Sequence, residues 1–275
     1  MKKIVTTIRR VSFPVLGLFL GLTYLEVDLS HAEGSSLPSG PKGPGRFGAY
    51  YTRLNYDAAW EEPWRVGSHA DVVLRFENGG HKFVFWRGTS YVPCWVSAND
   101  IWYTNEFVER HGADSPNTKG SVEPISDKQS RFSHVRIIEN TDARVVIHWR
   151  YAPVDVGYNH PFIEPSTGWS DWVDEYHTIY PDAVGVRKIT AYTSRPDLWM
   201  EWQESIVINP PGTMPEDNIE LGAITVANMQ GESKTYSWTK EGSPQFIDPP
   251  KGVNIVKVNL KSIRKPFVIV PPNPV

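Results

Sequence analysis

Two segments of this chain concentrate side chains that move protons and hold anions. Residues 133–151 carry His134, Arg136, Arg144, His148 and Arg150, and residues 172–192 carry Tyr176 and Arg187. These residue types fit one reaction well. Cutting a uronic-acid polymer by β-elimination requires the uronate carboxylate to be neutralised, so that the adjacent C5–H becomes acidic; Arg, Asn, Gln, a protonated His or a metal can do this. A base such as His, Tyr or Lys then takes the C5 proton, and an acid, often Tyr, protonates the leaving oxygen. The expected carboxylate holders are Arg136, Arg150 and Arg187, and the expected proton carriers are His134, His148 and Tyr176. A plainer reading carries equal weight: a solvated face whose arginines meet acidic neighbours from other strands.

Other chemistries fit less well. Hydrolysis of a glycosidic bond needs two carboxyls at a set separation. Glu106, Asp174, Glu175, Glu201 and Glu204 are available, but Glu201 and Glu204 fall on opposite faces of a strand. There is no glycine-rich phosphate loop, no nucleophile elbow, and no His or Cys spacing that suggests zinc. No cofactor is expected, although scattered Asp and Asn leave a structural calcium site open. Cys94, the single cysteine, lies between Pro93 and Trp95. It reads as buried and inert, because a reactive thiol needs an electropositive, partly exposed setting.

Both reactive segments read as β-hairpins. In 133–151, a three-residue loop at Asn140–Asp142 pairs Ile137 with Val145 and Val135 with Ile147, gathering the apolar side chains and Trp149 on one face. The other face then holds His134, Arg136, Arg144, His148 and Arg150, with His134 directly opposite His148. Like charges repel across paired strands, so this row is favourable when something anionic lies on it. In 172–192, Pro181-Asp182 suits a tight type I turn and places Tyr176 opposite Arg187 and Glu175 opposite Lys188.

From Phe47 onward, short runs rich in Val, Ile, Tyr, Phe and Trp alternate with Gly, Pro, Asn and Asp. Strands are predicted at 49–54, 71–76, 82–86, 91–96, 133–138, 144–151, 172–179, 184–193, 200–208, 219–226, 235–238, 254–259 and 267–270. The best helical candidate is 101–111. The fold class that follows is all-β: a large, mostly antiparallel β-sandwich of supersandwich or jelly-roll type spanning 47–275. The proline-rich end at 271–275 reads equally as a natural terminus or as the start of a linker to a further domain.

The first 32 residues read as a signal peptide: Lys2, Lys3, Arg9 and Arg10, then an apolar run from Val15 to Tyr24, then Ser30-His31-Ala32 before Glu33. The apolar run is short for a membrane span. Residues 33–46 are a Gly/Pro/Ser linker. The expected location is therefore secreted, periplasmic or cell-surface, without stable membrane insertion after cleavage. Removing the leader makes the chain more acidic than its net −3, which argues against nucleic acid as a partner. The chain has 11 Trp, 12 Tyr and 11 Phe, and indole faces stack well on the C–H faces of sugars. A polysaccharide is thus the expected partner.

One aromatic segment stands out. Phe83 to Trp95 sets strand-like aromatics around an Arg87-Gly88-Thr89-Ser90 turn, and Ile101 to Phe107 follows it. Trp86, Arg87, Tyr91, Trp102 and Asn105 are its expected substrate contacts. Together with Ser126-Asp127-Lys128-Gln129, Ser133-His134-Val135-Arg136 and His148-Trp149-Arg150-Tyr151, this stretch resembles secreted bacterial β-sandwich polysaccharide lyases, of the kind acting on ulvan. The resemblance covers roughly 49–226 and implies a lyase without assigning any residue a role. The alternative is a non-catalytic carbohydrate-binding or structural sandwich belonging to a larger polysaccharide-degrading protein.

Overall fold

The computed structural model describes residues 47–54, 69–78, 80–110, 115–198, 205–239, 242, 248–261 and 267–269. The predicted leader, the linker and the 271–275 tail lie outside the described residues, as do Glu201 and Glu204. Among the described residues no helix is long and apolar enough to cross a membrane.

The fold is all-β, with three antiparallel sheets. The first is a meander of β1 (Gly48–Thr52), β2 (Asp71–Arg75), β3 (Lys82–Phe85), β4 (Pro93–Val96) and β5 (Trp102–Thr104). The second is a meander of β6 (Ser133–Asn140), β7 (Val145–Tyr151), β8 (Trp172–Ile179) and β9 (Gly185–Tyr192). The third comprises β10 (Ile219–Ala227), β11 (Ser233–Tyr236), β12 (Ile255–Leu260) and β13 (Phe267–Ile269), in the order β11-β10-β12-β13.

Alternation along the strands builds the core. Val72, Leu74, Phe83 and Phe85 of the first sheet meet Ile137, Val145, Ile147, Trp149, Tyr151, Val173 and Ile179 of the second. Side chains of opposite parity (Val73, Val84, Cys94 and Val96) form a separate buried cluster on the first sheet's other face. This sheet is therefore apolar on both sides, which is why β2 and β3 read as nearly continuous hydrophobic runs. Cys94 is buried there, and burial pushes its thiol up to about 12. The third sheet has its own small cluster of Val226, Tyr236 and Val253.

The Arg87-Gly88-Thr89-Ser90 turn ties the two main sheets together. Arg87 is buried and ion-paired with Asp71, and its Nη2 donates to the Leu54 carbonyl at 2.9 Å. Asp71 also accepts from the backbone N–H groups of Arg87 and Leu54, both at 2.7 Å. Burial pushes the Asp71 carboxyl up, and these donors pull against it. Across the interface, the Trp149 indole N–H donates to the Ser90 carbonyl at 3.1 Å, and the Ser130 hydroxyl donates to the Arg87 carbonyl at 3.1 Å.

Four sequence expectations need correction. Residues 101–110, the described part of the helix expected at 101–111, are not helical: 102–104 form β5, because Trp, Tyr and Thr find a partner strand in β4. Residues 205–208, the described part of the strand expected at 200–208, are not in a strand. In the first hairpin the pairs are His134↔Arg150, Arg136↔His148, Val135↔Trp149 and Ile137↔Ile147. A tighter tip, closed by Thr141 N–H donating to the Arg144 carbonyl at 3.0 Å, is followed by a register shift between Ile137 and Glu139. The tighter tip moves the pairing by three residues and the shift takes one back, so the net slide of two residues leaves the side chains of 133–137 and 145–151 on their expected faces. In the second hairpin the pairs are Tyr176↔Lys188 and His177↔Arg187. Its loop is three residues, 181–183, with Ala183 in the left-handed region at φ +66° and its N–H bonded to the Tyr180 carbonyl at 3.0 Å. That is a type I turn followed by a bulge residue, and the added residue moves Arg187 to the opposite face from Tyr176.

Candidate functional site

The outward face of the second sheet gathers the reactive side chains. Cross-strand pairing puts His134 and Arg136 of β6, His148 and Arg150 of β7, Trp172, Asp174 and Tyr176 of β8, and Lys188 of β9 on this side. The apolar residues between them point into the core.

Four of these groups form a chain of hydrogen bonds. Arg136 Nε donates to His148 Nδ1 at 3.0 Å, and His148 Nε2 lies 2.6 Å from Asp174 Oδ1. Arg150 Nη1 donates to Asp174 Oδ2 at 2.8 Å. An Arg can only donate, so Nδ1 is the accepting nitrogen and the His148 proton sits on Nε2, facing the carboxylate. Both ring nitrogens of His148 are thereby engaged, and the ring is buried. His148 thus holds Arg136 directly and shares Asp174 with Arg150, so neither of its ring nitrogens is open to a ligand in this arrangement. Tyr176 stacks on it with ring centroids 4.6 Å apart and planes 15° apart. Among the described residues the Tyr176 hydroxyl has no hydrogen-bond partner, which leaves its proton free to face a ligand.

His134 differs from His148. It is exposed and not hydrogen-bonded among the described residues, and it meets His69 edge-on at 6.3 Å. Partial burial holds its pKa below the usual histidine value; the positive fields of His69 and Arg150 add to this, and Asp127 opposes it. His134 is therefore a neutral imidazole at neutral pH, able to accept a proton. It lies diagonal to His148 on the shared face, not directly opposite.

The other expected contacts divide. Arg187 faces the sandwich interior: its Nε lies 3.8 Å from Glu175 Oε2, and it donates to the Glu106 carbonyl. Glu175 is fully buried and also receives the Tyr151 hydroxyl at 2.8 Å and the neutral His177 at 3.1 Å. Asp174 and Glu175 are thus on opposite faces and cannot act as a hydrolytic pair. Arg87 and Tyr91 are buried parts of the inter-sheet tie, so they do not face a surface ligand. Trp86 is half-buried beside the exposed Trp102, at 5.7 Å between ring centroids. Asn105 is half-buried, with its backbone N–H bonded to the Pro93 carbonyl at 2.8 Å.

Sequence reasoning missed Asp174 as the anchor of Arg150 and His148, along with His69, Lys188 and Trp172. The period-two spacing of Trp172, Asp174 and Tyr176 was a usable signal for three residues on one face. Among the described residues no group of three or more His, Cys, Asp or Glu side chains is placed to hold a metal ion. No known protein family, curated protein or solved structure matches this chain.

Proposed function

We propose that this protein is a secreted polysaccharide lyase that cleaves an anionic, uronic-acid-containing glycan by β-elimination. The observation carrying this reading is the composition of one solvent-facing sheet face: the exposed His134 imidazole and a Tyr176 phenol without a hydrogen-bond partner among the described residues, beside Arg150 held by Asp174 and Arg136 held by His148. Arg136 and Arg150 would neutralise the uronate carboxylate. His134 would take the C5 proton, the C–H electron pair would become the C4=C5 double bond, and the C4–O bond would break. Tyr176 would give its proton to the departing oxygen and recover one from solvent. Holding the arginines in place beforehand removes reorganisation from the step in which negative charge develops.

A second reading has its own support. His148 has no free nitrogen, and Arg150 lies 5.0 Å from the Trp172 ring centroid, an arrangement equally suited to holding a glycan without cutting it. One experiment separates the two. The mature protein is incubated with ulvan, alginate, pectin and glycosaminoglycans while the absorbance of the unsaturated uronate is followed. Rising absorbance that is lost in Tyr176→Phe supports the lyase. Retardation in a glycan-containing gel without absorbance gain supports the binding module.

A further inference from the structure

The polar face does not end at Arg150. Along β8, Tyr176, Asp174 and Trp172 alternate on one side, and Trp172 is paired across the sheet with Tyr192. The Arg150 guanidinium lies 5.0 Å from the Trp172 ring centroid and 6.0 Å from that of Tyr192. Trp169 extends the shelf, 6.1 Å from Trp172 with its plane turned by 62°. Trp169 is 61 % exposed and Tyr192 is 53 % exposed, so two large aromatic faces stand in water beside the arginine.

Trp169 is held in place by its turn. The Glu164 N–H donates to the Trp169 carbonyl at 2.8 Å, and the Gly168 N–H donates to the Glu164 carbonyl at 2.8 Å. Gly168 has φ +71°, a conformation glycine adopts without strain, and this brings the chain back so that Trp169 sits over the end of β8. Exposed indoles cost hydration free energy, and fixing one in a tight turn makes its face available to a ligand with little further loss of entropy.

We propose that Trp169, Trp172 and Tyr192 form a sugar-stacking subsite continuous with the arginine–histidine face, so that the ligand is a glycan chain and not a single sugar acid. This rests on reading the face as a glycan site. Tyr176 and Trp172 are four residues apart, about 13 Å at the usual strand rise. That exceeds the length of one pyranose ring, so a ligand reaching both spans at least two sugars. The anionic sugar lies over Arg136 and Arg150, where the charge is complementary. The C–H face of a neighbouring pyranose lies on the aromatic shelf, which asks for no charge.

The test is binding of oligosaccharides of two, four and six sugars, prepared from ulvan, alginate, polygalacturonate and chondroitin. Binding is followed by intrinsic tryptophan fluorescence and by calorimetry, neither of which requires turnover. Affinity is expected to rise with length for at least one series. Trp169→Ala and Tyr192→Ala are each expected to weaken binding of the longest oligomer about five- to tenfold, the size of one aromatic contact, and Trp169→Phe to restore most of it. Length-independent affinity, or alanine variants that bind the hexamer like the parent, would overturn the subsite even if elimination is observed. Length-dependent binding that needs Trp169, with no unsaturated product, would uphold the subsite and sink the lyase. No binding by any series would overturn both.

Discussion

At the scale of single residues, the two histidines of one hairpin have different chemistry because of their immediate neighbours. His148 is engaged at both nitrogens, whereas His134 makes no hydrogen bond among the described residues and is held below the usual histidine pKa. A general base must be unprotonated, so in the proposed elimination the rate should fall as pH drops through the His134 pKa. The acid limb of the rate profile is therefore expected below pH ~6.5, the unperturbed value. His134→Ala should abolish that limb and lower the rate by about 10²-fold or more; initial rates across pH check both. Arg87 is a residue-scale lesson of another kind. Its guanidinium neutralises Asp71 in the interior, so Arg87→Ala leaves a buried carboxylate without its cation. The expected cost is about 3–5 kcal/mol of stability, read as a shift in the urea midpoint.

At the scale of elements, loop chemistry decides which face a side chain occupies. The three-residue loop of the β8–β9 hairpin, with Ala183 at φ +66°, sends Arg187 inward and sets Lys188 beside Tyr176. A left-handed alanine is strained, so Ala183→Gly should stabilise the protein by about 0.5–1 kcal/mol, after allowing for glycine's greater freedom when unfolded. A rise in thermal midpoint with an unchanged circular dichroism spectrum would show this; a fall would contradict the turn assignment. In the β6–β7 hairpin the irregularity near Ile138 works the other way and preserves facing. Ile147 therefore stays fully buried, and Ile147→Asp is expected to prevent folding, because it buries an unpaired charge. Soluble, cooperatively unfolding Ile147→Asp protein would refute that placement.

At the scale of the whole molecule, protection should be uneven. β7 lies between β6 and β8, and Val145, Ile147, Trp149 and Tyr151 are all fully buried. Among the described residues the third sheet has a small cluster of Val226, Tyr236 and Val253 with Val256 packed against it, and Ala223 and Val258 are buried besides. Native-state hydrogen exchange is expected to be slowest for amides of β7 and clearly faster for β10–β13, since local opening follows the apolar surface each region buries. Uniform protection across both would show that the third sheet is held by more than its own cluster.

The sequence by itself determined the class of fold and the composition of the reactive face. Strand alternation is local, so the apolar parity of 133–151 was enough to select the pairings that put His134, Arg136, His148 and Arg150 on one side, and the observed register, though offset by two residues, is one of these. What lay beyond it depended on groups distant in the chain. Arg87 reads as an exposed turn cation until Asp71 and Leu54, 16 and 33 residues away, are brought to it. Asp174 becomes an anchor only when β8 pairs with β7 and its carboxylate reaches both His148 and Arg150. The side of Arg187 turned on a single extra loop residue at Ala183, because in a strand with a two-residue period one added residue exchanges the faces of everything after it. Tertiary structure alone decided which histidine is free to carry a proton, since that depends on which partners occupy its nitrogens.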